Sequence, residues 1–305
     1  SGWPELEVRV GFAADMASRN AERTKAAAKE KSRTDIFPSN DFPDTSRDYY
    51  NDTSKTSFDA TALACDQLSD SQINLLELST EVKVPPTHYV VLDRTLFYPE
   101  GGGQLGDQGQ IGSSRVVDTR IEGDVIFHLT DSEVPLGQVS GEVSWERRSQ
   151  LMDHHTAVHI VGGSSRALLG PHIWQAGSSK GFRYARIDLT HHSRLSREEL
   201  DRIEDHANSI IEANIPVEKL VMQRAEADEE FGFEIYQGGP PKQDEIRVIR
   251  IGNHDTQACG GTHHDSTGQI GELRIIRSSQ VQDGVERLQI VAGDTAREHA
   301  REQER

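Results

Sequence analysis

The sequence predicts an α+β chain. A small β-barrel is followed by a second α+β domain, an antiparallel sheet with helices on one face, and an N-terminal helical segment precedes both. Three observations carry this. Short β-branched runs punctuated by Gly, Pro and Asp follow one another between residues 58 and 147. Beyond 147, helical patterns alternate with strand runs. Two pairs of metal-type side chains, about a hundred residues apart, sit in that second region and need one fold to bring them together.

Residues 4–33 read as helix, Ala-rich and charged with no proline after Pro4. That stretch carries a basic run, Arg19, Arg23, Lys25, Lys29, Lys31 and Arg33, opposed only by Glu22 and Glu30. Most such runs are solvated faces. Residues 34–57, rich in Pro, Asp, Ser, Thr and Asn, read as a connector. The expected division is a helical segment and linker over 1–57, the barrel over 58–147, the second domain over 148–293 and the start of a further helix over 294–305.

Barrel strands are expected at 82–84, 89–92, 116–117, 125–129 and 139–145. Gly101, Gly102 and Gly103 do not sit cheaply in a regular strand. They mark a turn, or a place where backbone approaches a ligand or another strand. A helix is expected over 149–169. Gly162 and Gly163 weaken its middle by roughly 1 kcal/mol each relative to Ala, so it needs tertiary support or bends there.

A strand follows at 182–189. Ser196 and Glu199 then form a capping box that opens a helix. Its apolar stripe is Leu200, Ile203, Ala207, Ile210 and Ile211, and Pro216 ends it. Strands are expected at 217–223, 246–251, 270–277 and 285–291. The cluster Glu226, Asp228, Glu229 and Glu230 reads as a solvated face.

Composition narrows the classes. The 305 residues allow two domains or a little more. Net charge is −17 and hydrophobic content 34%. Global charge therefore does not hold a nucleic acid, and only local clusters such as Lys180, Arg183 and Arg186 favour one. No apolar run of about 18 residues exists, which excludes a membrane-spanning helix, and no signal peptide is present. Two cysteines give no disulfide framework, so a reducing cytoplasm is expected. The acidic, Lys-poor composition fits a high-salt cytoplasm. Without an initiator Met, the chain reads as a fragment.

His155 and His159 stand at i and i+4, on one helix face a turn apart. Cys259 and His263 are separated by three residues, two of them Gly, which lets a loop fold tightly around an ion. Each pair alone is a weak signal. Together they offer one thiolate and three imidazoles, a donor set suited to tetrahedral Zn2+. A satisfied helix beside a Gly-rich turn leaves that density of His and Cys unexplained.

At this point the residues carry a family likeness. Thr95-Leu96-Phe97-Tyr98-Pro99-Glu100-Gly101-Gly102-Gly103-Gln104, with Asp107 and Gly109, resembles the barrel signature of alanyl-tRNA synthetases and their free-standing editing relatives. Met152-Asp153-His154-His155-Thr156-Ala157-Val158-His159 resembles the family's first zinc motif. Leu169-Gly170-Pro171-His172-Ile173-Trp174-Gln175-Ala176-Gly177 resembles the segment after it, and Gln257-Ala258-Cys259-Gly260-Gly261-Thr262-His263 the second zinc motif. The motifs are in the family's order and cover roughly 58–293. There are two departures. Gly162 and Gly163 stand where a well-formed helix is expected, and His264 stands where an apolar residue is more usual.

The resemblance implies the editing region of an archaeal-type alanyl-tRNA synthetase. Its reaction is hydrolysis of the ester joining serine or glycine to tRNA(Ala), in the cytoplasm, with zinc on His155, His159, Cys259 and His263. It also implies that the N-terminal helix is part of the tRNA-binding region and the C-terminal helix the start of an arm through which homodimers form. The aminoacylation domain, which binds ATP in the full-length protein, is absent from this chain, which should not charge tRNA. Thr156 is a candidate to sense the seryl hydroxyl or position water, and Gln175 to hydrogen-bond substrate or ribose. Gly101, Gly102, Gly103 and Gln104 are candidates to face the site and limit its size. Four protein ligands would close the zinc sphere, which is usually structural, whereas an exchangeable fourth position favours catalysis. The alternatives are a non-catalytic tRNA-binding module with structural zinc, a free-standing trans-editing hydrolase, and a zinc hydrolase of small molecules.

Overall fold

The computed structural model describes residues 36–237 and 243–303. The helix expected over 4–33 and its basic run lie outside the described residues. The chain opens with β1 (Ser46–Arg47), β2 (Ser57–Gln67), the short helix α1 (Asp70–Leu75), β3 (His88–Leu92) and β4 (Arg94–Thr95). Then come β5 (Gly109–Ile111), β6 (Ser114–Glu122), β7 (Val125–Thr130) and β8 (Gly137–Val143). β1 and β4 form a small parallel pair. The other six strands close into an antiparallel barrel in the order β2-β3-β7-β6-β5-β8.

Two large apolar clusters and a smaller one around Tyr49, Tyr98 and Ile126 hold this lobe. One large cluster joins Val90, Leu92, Phe97, Ile111, Val116 and Val143. The other joins Tyr89, Val91, Phe127 and Leu129 to Phe37, Leu68 and Leu76. Phe37 stacks on Phe127 with ring centroids 4.3 Å apart, and Tyr49 is 1% exposed. Residues 36–57 therefore pack against the barrel and are more than a connector. Residues 82–84 are not a strand. Pro85 and Pro86 follow them at once and supply no ladder donors. Strand β2 was not expected, because Ala and Asp dominate its middle and score poorly as strand formers. β8 stops at Val143, and Ser144 caps the next helix, so Trp145 is helical.

The second lobe contains α2 (Trp145–Leu169), β9 (Gln175–Lys180), β10 (Ala185–Thr190), α3 (Arg197–Glu212), β11 (Val217–Gln223) and α4 (Arg224–Phe231). It continues through β12 (Glu245–Ile251), β13 (Asp255–Ala258), β14 (Leu273–Gln282), β15 (Val285–Ala292) and α5 (Asp294–Gln303). The expected single sheet is two antiparallel sheets, β14-β15-β10-β9 and β11-β12-β13. Strands β9 and β13 were not legible: one is built of Gln, Gly and Ser, the other is four residues long. The Ser196–Glu199 capping box forms as expected. Helix α3 stops at Glu212, ahead of Pro216, and Asn214 at φ 50° turns the chain. Helix α4 holds the acidic cluster, buries Ala227, and uses Asp228 to accept the Tyr236 hydroxyl at 2.6 Å.

Helix α2 is the axis of this lobe. It is buried almost all round from Arg147 to Ser165. Val158 and Val161 on α2, Ile187 and Leu189 on β10, Ile203 and Ile211 on α3, and Ile249 and Ile290 form one core. The helix runs unbroken through Gly162 and Gly163. A Cβ at Gly163 would stand 2.6 Å from His254 Nε2, while one at Gly162 meets nothing closer than 3.4 Å. Glycine is there because the β12–β13 turn crosses the helix, and His254 Nε2 donates to the Ile160 carbonyl at 2.9 Å. This is the tertiary support the sequence called for.

The lobes are tied at the first turn of α2. Arg148, 0% exposed, donates through Nε to Asp107 Oδ2 at 2.9 Å and through Nη1 to the Thr53 carbonyl at 3.0 Å. Asp107 also accepts the Tyr98 backbone N–H at 2.7 Å. A buried arginine is tolerable only with its donors matched in this way. No helix among the described residues is long and apolar enough to cross a membrane.

Candidate metal centre and its cleft

The i, i+4 spacing on α2 stacks His155 and His159 on one face, with ring centroids 5.5 Å apart. The cysteine loop leaves β13, the hairpin partner of β12. It brings Cys259 and His263 against that face. One donor atom from each of the four residues lies within 4.8 Å of all the others. Cys259 Sγ is 3.4 Å from both His155 Nε2 and His263 Nε2. Zinc bonds of about 2.3 Å to sulfur and 2.0–2.1 Å to nitrogen at a tetrahedral angle separate such atoms by about 3.6 Å. The donor set therefore fits zinc in number, chemistry and spacing.

Each imidazole is oriented from behind. His155 Nδ1 donates to Gln104 Oε1 at 2.7 Å, and His159 Nδ1 to Asp255 Oδ2 at 3.0 Å. His263 Nδ1 is 3.2 Å from Thr156 Oγ1. A carbonyl or carboxylate only accepts, so Nδ1 of His155 and His159 holds a proton and Nε2 is the atom left to meet a metal. This is how proteins prepare histidine for a metal. Gln104 is itself fixed: its amide donates to Thr262 Oγ1 at 2.9 Å, and its Oε1 accepts the Thr262 N–H at 3.1 Å. Gly261 is forced, because a Cβ there would overlap the His155 ring.

The electrostatics suit a cation. Burial pushes His155 and His263 well below the usual histidine range. Burial also pulls His159 down, but the Asp255 carboxylate and the Cys259 sulfur outweigh it, and His159 rises to about 9. Burial lifts the Cys259 thiol, but His159 and then Lys180 outweigh it, and Cys259 falls to about 7.

His155, His159 and Cys259 form one wall of a cleft of about 320 Å³, which is also lined by Tyr50, Tyr98, Gly101, Gly102, Gln175 and Lys180; His263 lies behind that wall. Gln175 opens β9, and its backbone N–H donates to Gln237 Oε1 at 2.9 Å. Gly102 and Gly103 have φ of 56° and 78° and form the two-residue turn between Gly101 and Gln104. Gly103 does not line the cleft; its Cα faces the Ser178 carbonyl. Gln104 and Thr156 are also behind the lining, each turned onto a histidine. Lys180, 2% exposed, donates to the Gly102 carbonyl and Ser178 Oγ, both at 2.8 Å. Burial lowers its ammonium to about 8. Arg247 lies 4.9 Å over the Tyr50 ring and donates to the Gly261 carbonyl at 2.7 Å.

Sequence reasoning missed Asp255 and saw Lys180 only as part of a basic surface. Asp255 carried no signal, because its role depends on the β12–β13 hairpin folding it back onto α2. His264 was noted as unusual; it is buried and its Nε2 is 2.7 Å from Asp153 Oδ1.

Residues 246–289 match the family described as the threonyl and alanyl tRNA synthetase second additional domain, a span that takes in Cys259 and His263. Residues 5–147 match the class II (A) tRNA synthetases. The chain is 39% identical over 313 aligned residues to the alanine–tRNA ligase of Sulfurisphaera tokodaii, covering 99% of this chain and 32% of the relative. The chain belongs to the alanyl-tRNA synthetase family. The alanine–tRNA ligase of Methanopyrus kandleri is 40% identical, covering 98% of this chain and 32% of the relative. That of Halorubrum lacusprofundi is 38% identical, covering 95% and 30%. The chain thus spans about a third of the length of these relatives.

Proposed function

We propose that this part of the synthetase is a hydrolase that clears serine and glycine from mischarged tRNA(Ala), in the cytoplasm where aminoacyl-tRNA is used. The observation that carries the reading is the cleft. Three members of the Cys–His₃ cluster, a lysine and a glutamine line one small cavity whose rim is a glycine turn. Zinc, when held by His155, His159, Cys259 and His263, supplies a Lewis acid and a fixed positive charge.

The chain's own residues do the rest. Lys180 offers an ammonium donor to the oxygen that gains charge when water attacks the ester carbonyl. Gln175 hydrogen-bonds the ribose or the aminoacyl group and orients the ester. Thr156 acts through His263 as a positioning residue, and Gln104 through His155. The glycine turn bounds the amino-acid pocket. A polar group that pairs with the seryl hydroxyl is left unpaired by alanine, which spares correctly charged tRNA.

The test is deacylation of seryl-, glycyl- and alanyl-tRNA(Ala) by the zinc-loaded chain. Serine and glycine should be released much faster than alanine. Gln175→Ala should lower kcat/KM for seryl-tRNA(Ala) by about 10- to 100-fold, the worth of one transition-state hydrogen bond. Equal rates on all three, or no hydrolysis, would overturn the proposal. A second reading, a tRNA-binding module with structural zinc, is favoured by the four-donor count, since closed zinc sites are usually structural. It predicts tight binding of tRNA(Ala) with the seryl ester left intact.

A further inference from the structure

A second group of imidazoles stands outside the cleft. His172 lies in the turn between α2 and β9, and His191 and His192 directly follow β10. One ring nitrogen from each lies within 4.8 Å of the other two. His172 Nε2 and His191 Nδ1 are 2.9 Å apart. The His191 and His192 ring centroids are 4.6 Å apart, and those of His172 and His192 5.6 Å. Two nitrogens at about 2.0–2.1 Å from one zinc ion, at a tetrahedral angle, are separated by about 3.3 Å. The closest pair, hydrogen-bonded to each other here, needs to open by only about 0.4 Å to take an ion between them.

The backbone beneath the rings is fixed. Thr190 Oγ1 donates to the His172 carbonyl at 2.6 Å and accepts the Trp174 N–H at 2.7 Å. The His191 N–H donates to the Gly284 carbonyl at 2.9 Å. His191 is buried while His172 and His192 are exposed, so an ion has a route in from solvent.

A counter-charge is in place. Glu286 sits opposite Leu189 in the β10–β15 ladder, on the sheet face it shares with Leu189 and, by alternation, His191. It is 2% exposed, its Oε2 has no hydrogen-bond partner, and its charge acts on His191. A buried carboxylate oxygen left unpaired is costly, and a neighbouring cation offsets that cost.

We propose that His172, His191 and His192 form a second, solvent-accessible site for a divalent cation of borderline softness, Zn2+ or Ni2+. The site is separate from the Cys259 centre and does not depend on the reaction assigned to the cleft for its existence. An ion there ties the turn that leads into β9 to the end of β10. Gln175 is the first residue of β9, so occupancy stiffens one wall of the cleft.

The test counts ions. The full chain is dialysed against buffered free Zn2+ and its zinc measured by atomic emission. The parent should bind two ions per chain, His172→Asn/His192→Asn one, and Cys259→Ser one. His192→Asn alone, a change at an exposed ring, should weaken the second ion by about tenfold or more. Circular dichroism of each variant confirms that it is folded. A parent that saturates at one ion overturns the proposal, as does a second ion retained unchanged by His172→Asn/His192→Asn.

Discussion

Replacing Gly261 by alanine tests the metal centre at its tightest contact. The new methyl would interpenetrate the His155 ring and stand 3.0 Å from Gln104 Oε1. The ring has little room to yield: it is 2% exposed, carried by α2 and held by Gln104 at 2.7 Å. Carbon atoms in contact sit about 3.5–4.0 Å apart, so ring or loop must shift by more than ~1 Å. Overpacking of this kind costs about 1–3 kcal/mol, and losing the Gln104 bond adds about 1 kcal/mol. We expect Gly261→Ala to lower unfolding free energy by about 2–4 kcal/mol. If about 2 kcal/mol of that strain falls on the ligand geometry, the zinc Kd rises about 30-fold.

Competition against a chromophoric chelator measures the affinity, and urea unfolding of the zinc-loaded chain measures the stability. Gly260→Ala is the control. Its nearest neighbour is the Tyr50 hydroxyl at 3.2 Å, not a ligand, so zinc affinity should hardly change. A Gly261→Ala chain that holds zinc as tightly as the parent would refute the packing argument.

Other changes should follow the same logic. Asp255→Asn removes the carboxylate behind His159 and should weaken zinc about 10- to 100-fold, read by the same competition. Zinc binding should release protons. With His159 at about 9 and Cys259 at about 7, the metal-free pair at pH 8 is imidazolium and thiolate. Binding then displaces about one proton, from His159; below pH 7 the thiol is protonated too, so the count climbs toward two and affinity falls. Calorimetry in buffers of different ionisation enthalpy reads the count, and a value near zero at pH 8 would contradict it. Gly162→Ala should stabilise the chain by up to about 1 kcal/mol through helix propensity. Gly163→Ala, one residue on, should destabilise it by about 1–3 kcal/mol through His254; thermal melts of the two should move in opposite directions.

The sequence made the His–Cys cluster legible because its signal is local: two histidines one turn apart, and a cysteine and a histidine in a glycine loop. The capping box at Ser196 was legible for the same reason. What failed was decided by partners. Strand β9 is poor in strand formers and exists because β10 offers it a ladder. Residues 82–84 have strand composition, but the two prolines that follow deny them one. Thr156 and Gln104 lie in the expected motifs, yet which way each side chain turns depends on residues 51 to 158 positions away. Gly162 and Gly163 looked like a weakness in α2 until the turn that crosses them was in view.

Gln104 belongs by position to the barrel, yet its amide group is wedged between the His155 ring and Thr262 of the other lobe. The line between the lobes is therefore not a line along which they can be inherited separately. A barrel exchanged from a distant relative must bring a glutamine at this position and a loop of the same reach, or the recipient loses the brace on a ligand it contributes itself. The two lobes are a single unit of recombination, and a crossover near Ser144 would separate a histidine from the residue that aims it.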